Sequence, residues 1–290
     1  MKRVLITGST GQLGSELKFK LENKYNLLLT GRKNLDITNY DETVKFIDEN
    51  KPDIIINCAA FTAVDLCEQE EKLAYDSNAL GPKNLAVAAN NINAKLVHIS
   101  TDYVFDGNGI KDYNGKLRPY FENDITNPQS VYGRTKLAGE SFVIENSNKY
   151  FIIRTAWLYG EGKNFVRTMI NLSKSNNEVK VVNDQIGSPT STSELANMIE
   201  RLIETDEYGV YHGTCEGFCS WYDFTCEIYK QLKINTKVIP VTTEEFPRPA
   251  KRPKYSVLEN MKLNELGIYK FKTWQEALKI YLENESKAEV

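Results

Sequence analysis

The chain has no apolar run approaching the ~20 residues that a membrane-spanning helix needs. Its opening, Met1-Lys2-Arg3-Val4-Leu5-Ile6-Thr7-Gly8, lacks the long apolar stretch of a signal peptide and reads as a strand, so a cytoplasmic protein is expected. No sign of charge dominates. The 36 basic and 39 acidic side chains leave a net charge of −3, too little to attract nucleic acid or a charged membrane. An anionic ligand would need a local basic pocket instead. The five cysteines, Cys58, Cys67, Cys215, Cys219 and Cys226, include no Cys-x-x-Cys and read as reduced core thiols rather than disulfides or zinc ligands. The two histidines, His98 and His212, sit in apolar runs and read as structural. There is no internal repeat and no low-complexity linker.

What is present is enough apolar material for a full core: 41% of 290 residues, which suits one large α/β domain with a smaller lobe. Short apolar runs at 4–7, 27–30, 54–57, 96–100 and 151–154 lack polar alternation and read as strands buried on both faces. Amphipathic stretches lie between them. Leu13, Leu17 and Leu21 recur at helical spacing, Asn39 with Glu42 marks a helix start, and helices are expected over 73–89 and 131–145. This alternation predicts an α/β fold with a doubly wound parallel sheet. In the second half, helices are expected at 165–173, 194–203, 222–232 and 275–282. Cap pairs precede three of them: Ser191 with Glu194, Ser220 with Asp223, Thr273 with Glu276. Proline and basic residues, among them Arg248, Lys251 and Arg252, collect in 246–254. The expected division is a dinucleotide-binding core at 1–160, with parts of 179–213 returning to it. Residues 161–178 and 214–290 would form a smaller substrate lobe, with the cleft between the two.

Two motifs carry chemistry. Gly8, Gly11 and Gly14, with Gln12 and Leu13, follow the first strand and open the first helix. Glycines there allow a tight turn and close approach of a pyrophosphate to the free N–H groups of a helix N-terminus, the Rossmann arrangement. The second strand ends Leu29-Thr30-Gly31-Arg32, without the acid that would grip the ribose hydroxyl of NAD. Arg32 can pair with a phosphate, so NADPH is expected, with NADH as the alternative. The second motif is Tyr132 with Lys136, one helical turn apart. An ammonium beside a phenol makes that phenol a usable acid/base, and Thr101 at the end of the fourth strand is placed to bind the same carbonyl oxygen.

Together with further runs, these residues resemble the extended short-chain dehydrogenase/reductase family, and within it the dTDP-4-dehydrorhamnose reductases, over nearly the whole chain. The runs are Asn57-Cys58-Ala59-Ala60-Phe61-Thr62-Ala63-Val64-Asp65, Ser100-Thr101-Asp102-Tyr103-Val104-Phe105-Asp106-Gly107, Arg154-Thr155-Ala156-Trp157-Leu158-Tyr159-Gly160, Asn183-Asp184-Gln185-Ile186-Gly187-Ser188-Pro189-Thr190 and Arg252-Pro253. The resemblance implies a Rossmann core with a smaller substrate-binding lobe. It implies Thr101, Tyr132 and Lys136 as the catalytic set, and Thr30, Asp36, Ile37, Ala59, Ala60, Thr62 and Asn78 along the cofactor. Val64, Asp102, Tyr103 and Trp157 would line the sugar pocket, with Asn164 and Arg252 toward the nucleotide diphosphate. The activity implied is NADPH-dependent reduction of the 4-keto group of dTDP-4-dehydro-L-rhamnose to dTDP-L-rhamnose, which feeds polysaccharide synthesis.

The same positions weigh against the neighbouring functions. Related 4,6-dehydratases carry Asp-Glu after the threonine; here the pair is Asp102-Tyr103. Related epimerases retain NAD, against which the acid-free second strand argues. A non-catalytic NADP-binding regulatory subunit is the alternative from another class, disfavoured by intact Thr101, Tyr132 and Lys136. Some relatives dimerise around magnesium. No metal-ligand spacing here calls for one, and a homodimer stays open.

Overall fold

The computed structural model describes residues 1–288. Six strands make one sheet: β1 (Arg3–Thr7), β2 (Asn26–Leu29), β3 (Ile54–Asn57), β4 (Lys95–Thr101), β5 (Tyr150–Thr155) and β6 (Gly209–His212). Their spatial order is β2-β1-β3-β4-β5-β6, and every neighbouring pair is parallel. The order reverses between β1 and β3. In open α/β sheets that reversal leaves a crevice beyond the carboxyl ends of the strands, where ligands bind.

The eight longer helices are α1 (Gln12–Leu21), α2 (Tyr40–Asn50), α3 (Gly81–Asn91), α4 (Val131–Asn146), α5 (Phe165–Ser173), α6 (Thr192–Leu202), α7 (Trp221–Leu232) and α8 (Trp274–Ala288). Both faces of the sheet are covered. Val4, Ile6, Ile54, Ile56, Val97 and Phe151 pack against Leu13, Leu17 and Leu21 of α1 and against Leu195, Met198 and Leu202 of α6. Their alternates Leu5, Ile55, Leu96 and Ile152 pack against Ile47 of α2, Leu85 and Ala89 of α3, and Val143 of α4. Two apolar layers explain why these strands show no polar alternation.

β2 departs from the expectation of two-sided burial. It is the edge strand, paired with β1 alone; Leu27 and Leu28 are half-buried and Leu29 is exposed. The helix expected over 73–89 is also not a single α-helix. An α-helical turn at Glu71–Tyr75 runs into a π-helical turn at Asp76–Leu80 and then into α3, where Pro82 sits in the first turn without needing an N–H partner. The π turn contains the fully buried Asn78.

The chain leaves the sheet after β5 and comes back to it with α6 and β6. Between these and afterwards it builds the second lobe. There Glu178–Val182 pairs in parallel with Lys237–Val241, and α5, α7 and α8 pack around them. All three expected caps form. Ser191 accepts from the Glu194 N–H, Ser220 and Asp223 make a reciprocal capping box, and Thr273 and Glu276 bond each other's backbone N–H. One apolar core runs from Val4 and Ile6 through Tyr159 and Val166 to Phe224, Trp274 and Leu278, so the lobes share their interior. Among the described residues no helix is long and apolar enough to cross a membrane.

Candidate active site

The glycine loop is built by exclusion of side chains. Gly8 has φ +62°, and a Cβ there would lie 2.7 Å from the Ala59 nitrogen. A Cβ on Gly14 would lie 2.3 Å from the Gly8 carbonyl oxygen. The loop can therefore lie against both β3's end and α1. α1 starts from Gly11 with no side-chain cap and no acidic residue in its first turn, leaving its N–H groups and positive dipole end unopposed. Beyond β2, the Arg32 side chain is 71% exposed and its guanidinium is 3.8 Å from the Asp36 carboxylate. Burial pushes the Asp36 carboxyl up, but hydrogen bonds from the Thr38 hydroxyl and N–H, with Arg32, bring it below its usual value. Ile37 is buried against Gly81, where a Cβ would sit 2.7 Å from its Cδ1. Thr30 is buried, and its hydroxyl donates to the Ile6 carbonyl at 3.4 Å.

Two further glycines seat α4, one on the turn that follows β4 and one on the π-helical turn at Asp76–Leu80. A Cβ on Gly133 would lie 2.2 Å from the Tyr103 carbonyl oxygen, and one on Gly139 would lie 2.2 Å from that of Asn78. Ser130 caps α4, accepting from the Gly133 N–H at 3.1 Å. In consequence Tyr132 and Lys136 face the turn at residues 101–105. Thr101 Oγ1 donates to Asp102 Oδ1 at 2.8 Å and accepts from the Tyr103 N–H at 3.3 Å. Lys136 Nζ donates to the Ile99 carbonyl at 2.6 Å. Burial and then the Asp102 charge push the Tyr132 phenol upward, which keeps its proton on. Burial pulls Lys136 down to about 8, against the charges of Glu140 and Cys58. Burial raises Asp102 to about 6, against the hydrogen bond from Thr101.

The second lobe closes the cleft. Trp157 has φ +47°, and its ring stacks on Trp221 with centroids 3.5 Å apart and planes 5° from parallel. A Cβ on Gly187 would meet the Trp157 indole at 2.5 Å, so glycine is needed for that ring to seat. Tyr103 meets Tyr132 edge-on at 5.4 Å. Arg252 Nη2 pairs with Asp65 at 2.8 Å and its Nη1 donates to the Tyr103 hydroxyl at 3.1 Å. The cleft measures about 880 Å³. That is near the top of the roughly 300–1,000 Å³ usual for small-molecule sites.

This one cleft brings together Gly11, Gln12, Leu13, Gly14, Ala60, Thr62, Val64, Thr101, Asp102, Tyr103, Tyr132, Lys136, Trp157 and Arg252. Gly8 and Ala59 back the loop from beneath. Asn78 does not line the cleft. Its amide bonds both the N–H and the carbonyl of Phe61, at 2.8 and 3.1 Å, and donates to Thr135, so it fixes the strip at 59–62 against α4. Asn164 is not brought to the cleft at all. It is the N-cap of α5, accepting from the Arg167 N–H and donating to the carbonyls of Gly160 and Gly162 and to the Tyr281 hydroxyl, which engages both N–H donors of its amide. Arg252 reaches the cleft with its charge already shared with Asp65. The lining residues not assigned a role from sequence include Asp65, Phe165, Lys180 and Trp221. Of these, Lys180 left a trace, since polar and apolar residues alternate from Glu178 to Val181, and the burial of that strand alternates with them.

Residues 1–287 match the family described as RmlD substrate binding domain. The dTDP-4-dehydrorhamnose reductase of Aggregatibacter actinomycetemcomitans is 42% identical over 294 aligned residues, covering 96% of this chain and 98% of the relative. The crystal structure of a dTDP-4-dehydrorhamnose reductase from Clostridium acetobutylicum is 52% identical with a TM-score of 0.94, over 98% of this chain and 99% of that one. That of Bacillus anthracis, in complex with NADP, is 46% identical with a TM-score of 0.93, over 98% and 100%.

Proposed function

The chain belongs to the RmlD substrate binding domain family, and on that premise we propose that it uses NADPH to reduce the 4-keto group of dTDP-4-dehydro-L-rhamnose, giving dTDP-L-rhamnose. The observation that carries this reading is the meeting of Thr101, Tyr132 and Lys136 in one cleft with the glycine loop and the aromatic, basic wall of the second lobe.

The residues fit the cofactor. Gly8 and Gly14 leave a cradle that any Cβ would fill, the uncapped start of α1 suits a pyrophosphate, and the buried Gln12 Oε1 has no partner within the protein. Arg32, exposed beyond β2, is the group we assign to the 2′-phosphate, with Asp36 and Ile37 beside the adenine. Bound NADPH supplies the hydride for the carbonyl carbon. Tyr132, held protonated by its buried setting, gives its proton to the carbonyl oxygen. Thr101 orients that oxygen, while Lys136 supplies positive charge beside the phenolate that Tyr132 becomes.

The diphosphate of the nucleotide needs cations in the cleft besides Lys136. Lys180, Arg248 and Arg252 line the cleft and are assigned to it, and the Trp157–Trp221 wall offers flat apolar faces for the rest of the substrate. We take residues 1–160 with the returning α6–β6 stretch as the cofactor core, and 161–178 with 214–290 as the substrate lobe. Five free cysteines support a reducing, cytoplasmic setting. The test is NADPH consumption with dTDP-4-dehydro-L-rhamnose, with product configuration assigned by NMR. Reduction of the free sugar as efficiently as its dTDP derivative would remove the nucleotide sugar from this reading.

A further inference from the structure

A buried ion pair lies behind the catalytic face of α4. Glu140 is one turn past Lys136, as Lys136 is one turn past Tyr132, so the three follow one stripe of the helix. Glu140 is 2% exposed and its partner on β5, Arg154, 5%. Arg154 Nη2 donates to Glu140 Oε2 at 2.7 Å and its Nε to Oε1 at 3.0 Å, the two-pronged fit of a guanidinium on a carboxylate. Ser100, the register neighbour of Arg154 on β4, donates from Oγ to the same Oε1 at 2.5 Å. Arg154 Nη1 donates to the Glu122 carbonyl at 3.1 Å, and the guanidinium lies 5.1 Å from the centre of the Phe105 ring. Exchanging such a pair for apolar side chains of like volume is often neutral or stabilising, so stability alone gives little reason to bury a carboxylate here. Its place gives a better one. Ser100 directly precedes Thr101, so the carboxylate fastens α4 to β4 beside the residue that orients the substrate carbonyl. In the strand order, Arg154 comes to Glu140 from β5, while Lys136 is flanked by β4 and by Cys58 at the end of β3.

We propose that Glu140 is a positioning residue for the reduction: gripped by Arg154 and Ser100, it ties α4 to the ends of β4 and β5 and sets a fixed negative charge one turn behind Lys136, which holds the ammonium of that lysine beside Tyr132. The inference rests on the reductase reading for its consequence, though not for its geometry. Burial lowers Lys136 to about 8, and the Glu140 charge is the largest influence opposing it. The other groups around Lys136 do not supply that charge. Cys58 is a thiol that burial pushes up to about 12, so it is neutral near pH 8. His98 Nε2, 3.5 Å from Lys136 Nζ, belongs to a ring that burial and then Lys136 keep neutral. Tyr132, on the same helix, keeps its proton. Asp102, which acts on Tyr132, titrates at about 6 and is a constant charge across the alkaline range. The mechanism needs an ammonium beside the phenolate, so turnover falls as pH rises through the Lys136 value. Removing the carboxylate lowers that value and moves the fall to lower pH.

The test breaks the pair from its two ends in the full-length protein. Glu140→Gln removes the negative charge. The alkaline limb of kcat/KM for the nucleotide sugar, at saturating NADPH, is then expected to move down by about one pH unit. Arg154→Met leaves the Glu140 carboxylate without its counter-charge, and the limb is expected to move up. Loss of a mere brace would lower the melting temperature of both variants without driving their limbs in opposite directions. Limbs that stay in place, or that move together, overturn the proposal. Each single variant leaves one buried charge unpaired, whereas the double variant Glu140→Gln, Arg154→Met buries neither and should fold as the wild type does. Its limb should lie below that of the wild type, because Glu140 is the member of the pair that acts on Lys136. An unmoved limb in the folded double variant also overturns the proposal. The lysine can be read without turnover as well. In protein labelled with ¹³C at lysine Cε, the Lys136 signal, assigned by its absence in Lys136→Met, should titrate near 8 in the wild type and lower in Glu140→Gln. If no nucleotide sugar is reduced at all, the functional reading fails, while this titration still decides whether Glu140 holds the charge.

Discussion

Arg252 does not stand free in the cleft: its guanidinium is held 2.8 Å from the Asp65 carboxylate and 3.1 Å from the Tyr103 hydroxyl. Asp65 also accepts from the Ala250 N–H at 3.2 Å, so the pair pins the basic segment at 246–254 over the catalytic turn. Arg252→Ala is therefore expected to lower kcat/KM for the dTDP-sugar by about 10- to 100-fold, the range that losing a charged hydrogen bond of about 1.5–3 kcal/mol gives. NADPH affinity should stay nearly constant. Steady-state kinetics beside a fluorescence titration with NADPH will check this, and equal losses for both ligands would count against it.

Tyr132→Phe removes one oxygen from a buried ring that keeps its edge-on contact with Tyr103. The expected outcome is a fall in kcat of at least about 100-fold, as for a lost general acid. Cofactor binding should be unchanged. Near-normal turnover would remove Tyr132 from the mechanism.

Arg32→Ala should discriminate between the two nicotinamide cofactors. The side chain is exposed and its nearest charge, Asp36, is 3.8 Å away, so it is available to a 2′-phosphate. Affinity for NADPH is expected to fall about tenfold, with NADH little affected. Dissociation constants for both cofactors decide the matter, and parallel losses would assign the preference to another residue.

Asp102 makes a pH prediction. Burial raises its carboxyl from 3.8 to about 6 in the folded protein. The folded state thus binds more protons than the unfolded state between those values, and stability contributed by the neutral acid is lost as pH rises through about 6. Asp102→Asn cannot ionise. Its melting temperature relative to the wild type should rise from about pH 4 to about pH 7. A difference that stays flat with pH would show that Asp102 carries no such burden.

Much of this architecture was legible because it rests on local rules. The strand–glycine–helix sequence at Thr7 to Gly14, the three cap pairs and the Tyr132–Lys136 spacing each state their geometry within a few residues. What stayed hidden depends on contacts between distant segments. Asn164 looked available to a ligand, yet nothing near it in sequence announces that Gly160, Gly162 and Tyr281 consume its amide. Arg252 looked like a free cation because Asp65 lies far upstream. His98 reads as a core histidine in a buried strand, and it is one; its meeting with Lys136 appears once α4 is laid across β4. β2 looked like its neighbours since position in the sheet, which a run of leucines does not encode, decides how much of it is covered.

The apolar interior that runs unbroken from Val4 and Ile6 to Phe224 and Trp274 limits how the molecule can breathe. A bilobed protein whose halves touch through a thin polar seam can swing on a hinge and swallow its ligand. Here such a swing would have to pull Tyr159 and Val166 out of the same oil that holds the sheet. Ligand traffic therefore falls to surface pieces such as the 246–254 segment, and heat should melt both lobes in a single cooperative step, visible as one calorimetric peak.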